Sequence, residues 1–75
     1  MAGRMTAVTV QIVLDGAPHA LPASTTLAAL VAALGHRPEA VGTAVNGVFV
    51  ARGHRHDHAL QDGDAVVLFQ PITGG

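Results

Sequence analysis

The chain has 75 residues, 49% of them apolar, with a formal net charge of −1, no cysteine and two aromatic residues, Phe49 and Phe69. That length holds one domain with an aliphatic core, and without cysteine there is no disulfide framework, zinc knuckle or thiol nucleophile. Near-neutral charge and the absence of lysine argue against nucleic acid or an anionic membrane as partner.

Residues 1–7 read as a disordered leader: no uninterrupted apolar segment follows Met1 to Thr6, so a signal peptide is not expected. The longest apolar run, Leu27 to Leu34, falls far short of the ~20 residues of a membrane span, and the expected compartment is the cytoplasm. Val8, Val10, Ile12 and Leu14 alternate with Ala7, Thr9, Gln11 and Val13, the period of two of a strand with one buried face. Asp15-Gly16 is a hairpin signal, since glycine supplies the positive φ of the turn. A short return strand is expected around His19 to Leu21, ended by Pro22.

The middle of the chain predicts a helix. Ser24, Thr25 or Thr26 can cap its first turn with a side-chain oxygen. Leu27, Leu30, Val31 and Leu34 recur at i, i+3, i+4 and i+7, an apolar stripe on one face. The stripe reads as core and not as a ligand site. Gly35 suits a left-handed C-terminal stop, and Pro38 prevents continuation.

A second hairpin follows, Thr43-Ala44-Val45 and Val48 to Arg52 around Asn46-Gly47, the strongest short-range hairpin signal. Gly53 to His58 reads as a polar loop, Leu60 as its anchor and Asp62-Gly63-Asp64 as a turn. Ala65 to Phe69 is the last strand. A hairpin, one helix and three more strands make an α+β layer arrangement. The last strand is expected centrally, parallel to the first, because the helix supplies the crossover that such a pairing needs.

Beyond Phe69 the chain runs Gln70-Pro71-Ile72-Thr73-Gly74-Gly75. Two glycines lack Cβ and can pass a channel too narrow for other residues, so the Gly75 carboxylate is the candidate reactive group. Six residues from Gln70 to Gly75 reach at most roughly 20 Å when extended. If Val66 and Leu68 face the helix, then Val67 and Phe69 face away, a candidate docking patch beside the tail. His54, His56 and His58 would share a face if extended, as metal ligands could. With Arg55 among them, an exposed polar loop is the better reading, and no metal is expected. His19 and His36 read as lone surface residues. Asp62 and Asp64 read as turn formers first, with a lesser role in pairing arginines of a partner.

Val45-Asn46-Gly47-Val48-Phe49-Val50, Leu60-Gln61-Asp62-Gly63-Asp64-Ala65-Val66 and Leu68 to Gly75 together resemble the ThiS family of sulfur carriers in thiamine biosynthesis, over about Val10 to Gly75. The departure is Ala51 before Arg52, where many members have proline. The resemblance implies a ubiquitin-like β-grasp with a mixed four- to five-stranded sheet and one main helix across it. Residues 8–69 would form the domain and 70–75 a flexible diglycine tail. It implies a carrier and not an enzyme, with no catalytic residue and no bound cofactor. A ThiF-like adenylating enzyme would use ATP to activate Gly75. A cysteine desulfurase pathway would supply sulfur as a persulfide, leaving a thiocarboxylate for a ThiG-like thiazole synthase. Gly74, Thr73 and Ile72 would thread into the partner's site, and Phe69 and Val67 would dock. The alternatives are a small subunit of molybdopterin synthase, similar to MoaD, and a ubiquitin-like protein modifier.

Overall fold

The computed structural model describes residues 8–70, and the expectations placed on residues 1–7 and 71–75 lie outside that range. β1 (Thr9–Leu14) and β2 (Ala17–Pro22) form the first hairpin. Its two-residue turn has positive φ at both positions, 49° at Asp15 and 86° at Gly16, the twist that matches paired strands. β2 is longer than the His19 to Leu21 expected, and Pro22 is its last paired residue, opposite Thr9. Pro18 and Pro22 are tolerated because β2 lies at the sheet edge, where a missing N–H breaks no ladder.

Helix α1 spans Leu27–Ala33 and is capped by Thr26, whose hydroxyl accepts from the Ala29 N–H at 3.1 Å. It ends as glycine at C′ dictates: Gly35 has φ 84°, its N–H donates to Ala32 O, and His36 N–H donates to Val31 O. These two bonds satisfy the last carbonyls of the helix. Leu27, Leu30 and Val31 are buried and Leu34 packs partly against the core. Full burial of such a side chain is worth about 1.5–3 kcal/mol. A 3-10 turn, Pro38–Ala40, follows with proline at its start.

β3 (Gly42–Val45) and β4 (Val48–Val50) form the second hairpin around Asn46-Gly47, again with positive φ at both turn residues. β5 (Ala65–Phe69) completes a five-stranded sheet of order β2-β1-β5-β3-β4. β5 is central, parallel to β1 through Val13↔Ala65 and Leu14↔Val66, and antiparallel to β3 from Gly42↔Phe69 to Val45↔Val66. Ile12, Leu21, Leu27, Leu30, Val45, Val50, Leu60 and Val66 form the core between helix and sheet.

Two expectations are corrected. The segment read as a polar loop, Gly53 to His58, lies mostly in a 3-10 helix, Arg52–Asp57, which also takes Arg52 from the expected strand, so that β4 ends at Val50; Arg55 within the helix is buried. The guanidinium is drawn inward by acceptors: its Nε donates to Thr43 Oγ1 at 3.0 Å, Nη1 to Pro38 O at 2.9 Å and Nη2 to Val41 O at 2.6 Å. His19, read as a surface residue, is half-buried opposite Ile12.

Candidate functional site

Among the described residues the sheet has helix on one face only. On the other, the alternation of β5 turns Val67 and Phe69 outward while Val66 is buried and Leu68 packs against the core. The register sets Val67, Ala44 and Phe49 side by side across β5, β3 and β4. Val13 and Ala65 adjoin them where β1 meets β5. Val67 is 47% exposed, Phe69 40% and Phe49 64%. This is a continuous apolar patch of the kind that marks a recognition surface, and it lies on the strand that runs into the tail.

The aromatic pair has a specific seat. The Phe69 ring lies over Gly42 on β3 and meets Phe49 with centroids 6.3 Å apart and planes tilted by 45°, the separation and tilt of a favourable aromatic contact. β3 carries only Gly42 and Ala44 on this face, so the rings from the flanking strands close over it. Phe49 and the Gly42 seat were missed from the sequence. The signal available was a small–small alternation in one strand between two strands bearing aromatics.

The end of β5 is held by groups distant in sequence. Asp15 Oδ1 accepts from Leu68 N at 3.0 Å, while Asp15 N donates to Val66 O at 2.9 Å. The first hairpin turn thus continues the β1–β5 ladder where β1 has already turned back. The other end is tied by the Asp62-Gly63-Asp64 turn. Asp62 Oδ1 accepts from Gln11 N at 2.7 Å, and the Asp64 carboxylate accepts from Asn46 Nδ2 and Gln61 N. Asn46 Oδ1 accepts from Ala65 N at 2.9 Å. Asp64 acts as a turn former through Gln61 N, as expected, whereas the Asp62 carboxylate reaches out of the turn to β1.

Arg55 sits behind β3, on the covered side. Burial lowers its pKa from the usual value, and neighbouring Arg52 adds to the effect. Arginine remains charged even so. Arg37 and Glu39 pair at 3.1 Å on the surface. The Glu39 carboxyl is held below its ordinary pKa by its own backbone N–H and by Arg37. The histidines are not gathered: among the described residues no group of three metal-capable side chains comes together. The 3-10 winding breaks the shared face that an extended strand would have made. No pocket is found among the described residues, and no helix there is long and apolar enough to cross a membrane. Of the expected site residues, Phe69 and Val67 are placed together on the open face. Ile72, Thr73, Gly74 and Gly75 lie outside the described residues.

Comparison with known proteins gives three matches. The model of the ThiS family matches residues 8–75. Among solved structures, the thiamine biosynthesis protein ThiS of Geobacter metallireducens is similar with a TM-score of 0.74, at 25% identity, over 88% of this chain and 100% of that one. Ubiquitin of Caldiarchaeum subterraneum is similar with a TM-score of 0.51, at 21% identity, over 93% of this chain and 100% of that one, a likeness of fold. Among curated proteins no match is found. The fold is a ubiquitin-like β-grasp.

Proposed function

The chain belongs to the ThiS family, and on that premise we propose that it is a sulfur carrier of thiamine biosynthesis, a cosubstrate of partner enzymes with no catalysis of its own. Gly75 is the attachment point. A carboxylate is a poor electrophile until one of its oxygens becomes a good leaving group. A ThiF-like enzyme supplies this: the Gly75 carboxylate attacks the α-phosphorus of ATP, pyrophosphate departs, and an acyl adenylate forms. A persulfide sulfur from a desulfurase then attacks the carbonyl carbon and expels AMP. Reductive cleavage of the sulfur–sulfur bond by a thiol leaves the thiocarboxylate, an anionic, polarisable nucleophile, for a ThiG-like thiazole synthase.

The observation that carries this reading is the sequence Gly74-Gly75 a short reach beyond β5, whose outward side chains Val67 and Phe69 form an apolar patch. Glycines suit a narrow active-site channel because the backbone can approach closely where there is no Cβ. Val67 and Phe69 dock on the adenylating partner while Ile72, Thr73 and Gly74 thread toward its ATP site. The chain supplies position and reach, and the partners supply acid, base, ATP and sulfur, in the cytoplasm.

The test is intact mass after incubation with the adenylating enzyme, ATP and a desulfurase-loaded sulfur source. Exchange of one oxygen for sulfur, lost when Gly75 is deleted, is the expected outcome. Conjugates to lysines without a sulfur-bearing species would replace this reading with that of a protein modifier.

A further inference from the structure

Alternation and register assign each strand residue to one face of the sheet, and the open face crosses all five strands. From Val67 on β5 it runs through Ala44 to Phe49. From Ala65 it runs the other way, through Val13 to Pro18, and Ala20 lies beyond on β2, opposite Gln11. Among the described residues every Asp, Glu and Arg lies outside the strands, so the strand residues of this face carry no charge. Its bulk is gathered at one corner. Phe49, Phe69 and Val67 stand exposed on the β4 side, while Pro18, Ala20 and Ala65 make a low, equally exposed corner toward β2.

We propose that two copies of this chain associate through this open face, the Phe49, Phe69 and Val67 corner of each lying on the Pro18 and Ala20 corner of the other across a two-fold axis. A two-fold contact needs a patch that complements itself. Here the complement is one of bulk, since facing layers fill space when large side chains meet small ones. It is also one of charge, because an uncharged face sets no like charges against each other, and a net charge of −1 repels a second copy little. The sheet edges are poorer meeting places. Pro18 and Pro22 interrupt β2, and β4 is three residues long, features that blunt edge-to-edge pairing. Five strands about 4.8 Å apart, rising about 3.3 Å per residue, offer roughly 400 Å² per copy. The total of roughly 800 Å² is below the 1,200–2,000 Å² or so of stable complexes. The dimer is therefore weak and reversible, and it gives up the face to any partner that binds more tightly. It does not depend on the carrier reading, which puts a different occupant on the same face.

The test uses the full chain alone. Sedimentation equilibrium should show the average mass rising from 7.6 kDa toward twice that as concentration increases. The expected Kd is on the order of 100 µM, as suits an interface of this size. Salt at about 0.5 M should not weaken the association, since there is no ion pair to screen. V67D at one corner and A20D at the other should each raise Kd about tenfold or more, because each buries an unpaired charge. Amide spectra check that the variants keep the fold; if V67D does not, A20D and the next measurement decide. In a dimer of mixed isotope labels, the Phe49 and Phe69 rings should give cross-peaks to the Ala20 methyl of the other copy. A mass that stays at 7.6 kDa up to about ten times that Kd, where most of the protein would be paired, would overturn the proposal. So would a dimer that tolerates both substitutions, or one whose intermolecular cross-peaks fall on another surface. Dimerisation that appears only after residues 1–7 are removed would also overturn it, and would make that segment the occupant of the face.

Discussion

The Arg55 guanidinium directs its N–H groups to a hydroxyl and two backbone carbonyls, Thr43 Oγ1, Pro38 O and Val41 O. Thr43 in turn donates to Val50 O at 2.9 Å. One side chain thereby ties the 3-10 turn after the helix, the start of β3 and the end of β4. Charged donors make the stronger hydrogen bonds, and the planar fork reaches several acceptors at once. R55M fills a similar volume and leaves the acceptors buried without donors. It should lower the stability to urea by about 2–4 kcal/mol, the cost of orphaning such groups. R55K should recover part of this, since a single ammonium cannot span all three acceptors. A midpoint for R55M equal to that of the wild type would mean that water replaces the guanidinium.

At the scale of elements, the Asn46-Gly47 turn does more than reverse the chain. Asn46 adopts φ 53°, a region where asparagine is among the few tolerated side chains. Its amide also bridges to Asp64 and to the N–H of Ala65 at the start of β5. The second hairpin is therefore registered on the central strand by a turn residue. N46A should lose about 1–3 kcal/mol from backbone strain and lost bonds together. N46G removes the strain and leaves the loss of the bonds. Thermal unfolding of the two variants separates the contributions, and faster amide exchange at Ala65 in both is the expected sign that the bridge is gone. Helix α1 shows the opposite economy. With only seven residues it is too short to be stable alone, and its packed stripe holds it in place.

At the scale of the whole molecule, the domain is one helix on one face of a sheet, with the other face apolar around β5. On the proposed carrier reading a partner covers that face, since among the described residues Val67, Phe69 and Phe49 remain exposed on it. V67D should change stability by about 1 kcal/mol or less, as substitutions on the solvent face of a strand do. It should weaken adenylation through KM by about tenfold or more if Val67 lies near the centre of the docked surface. Unchanged KM in a folded V67D would move the docking surface elsewhere on the molecule.

Local chemistry alone determined much of this protein. Two Asx-Gly turns, a capped amphipathic stripe ended by Gly35 and Pro38, and period-two alternation place every strand and the helix. Each of these signals acts between residues only a few positions apart. The outward set of Val67 and Phe69 follows from the same alternation once one face of β5 is known to be buried. The tail's diglycine is likewise legible as sequence. Only the tertiary structure decided the burial of Arg55, whose acceptors lie 12 to 17 positions away. The same holds for the bond from Leu68 to Asp15, 53 positions apart, and for the Phe69 ring on Gly42. The histidine segment was misjudged for that reason: its polarity suggested a solvated loop, whereas buried carbonyls elsewhere in the chain gave its one arginine somewhere better to go. Such contacts depend on which strands become neighbours, and that is settled by closing the sheet around β5.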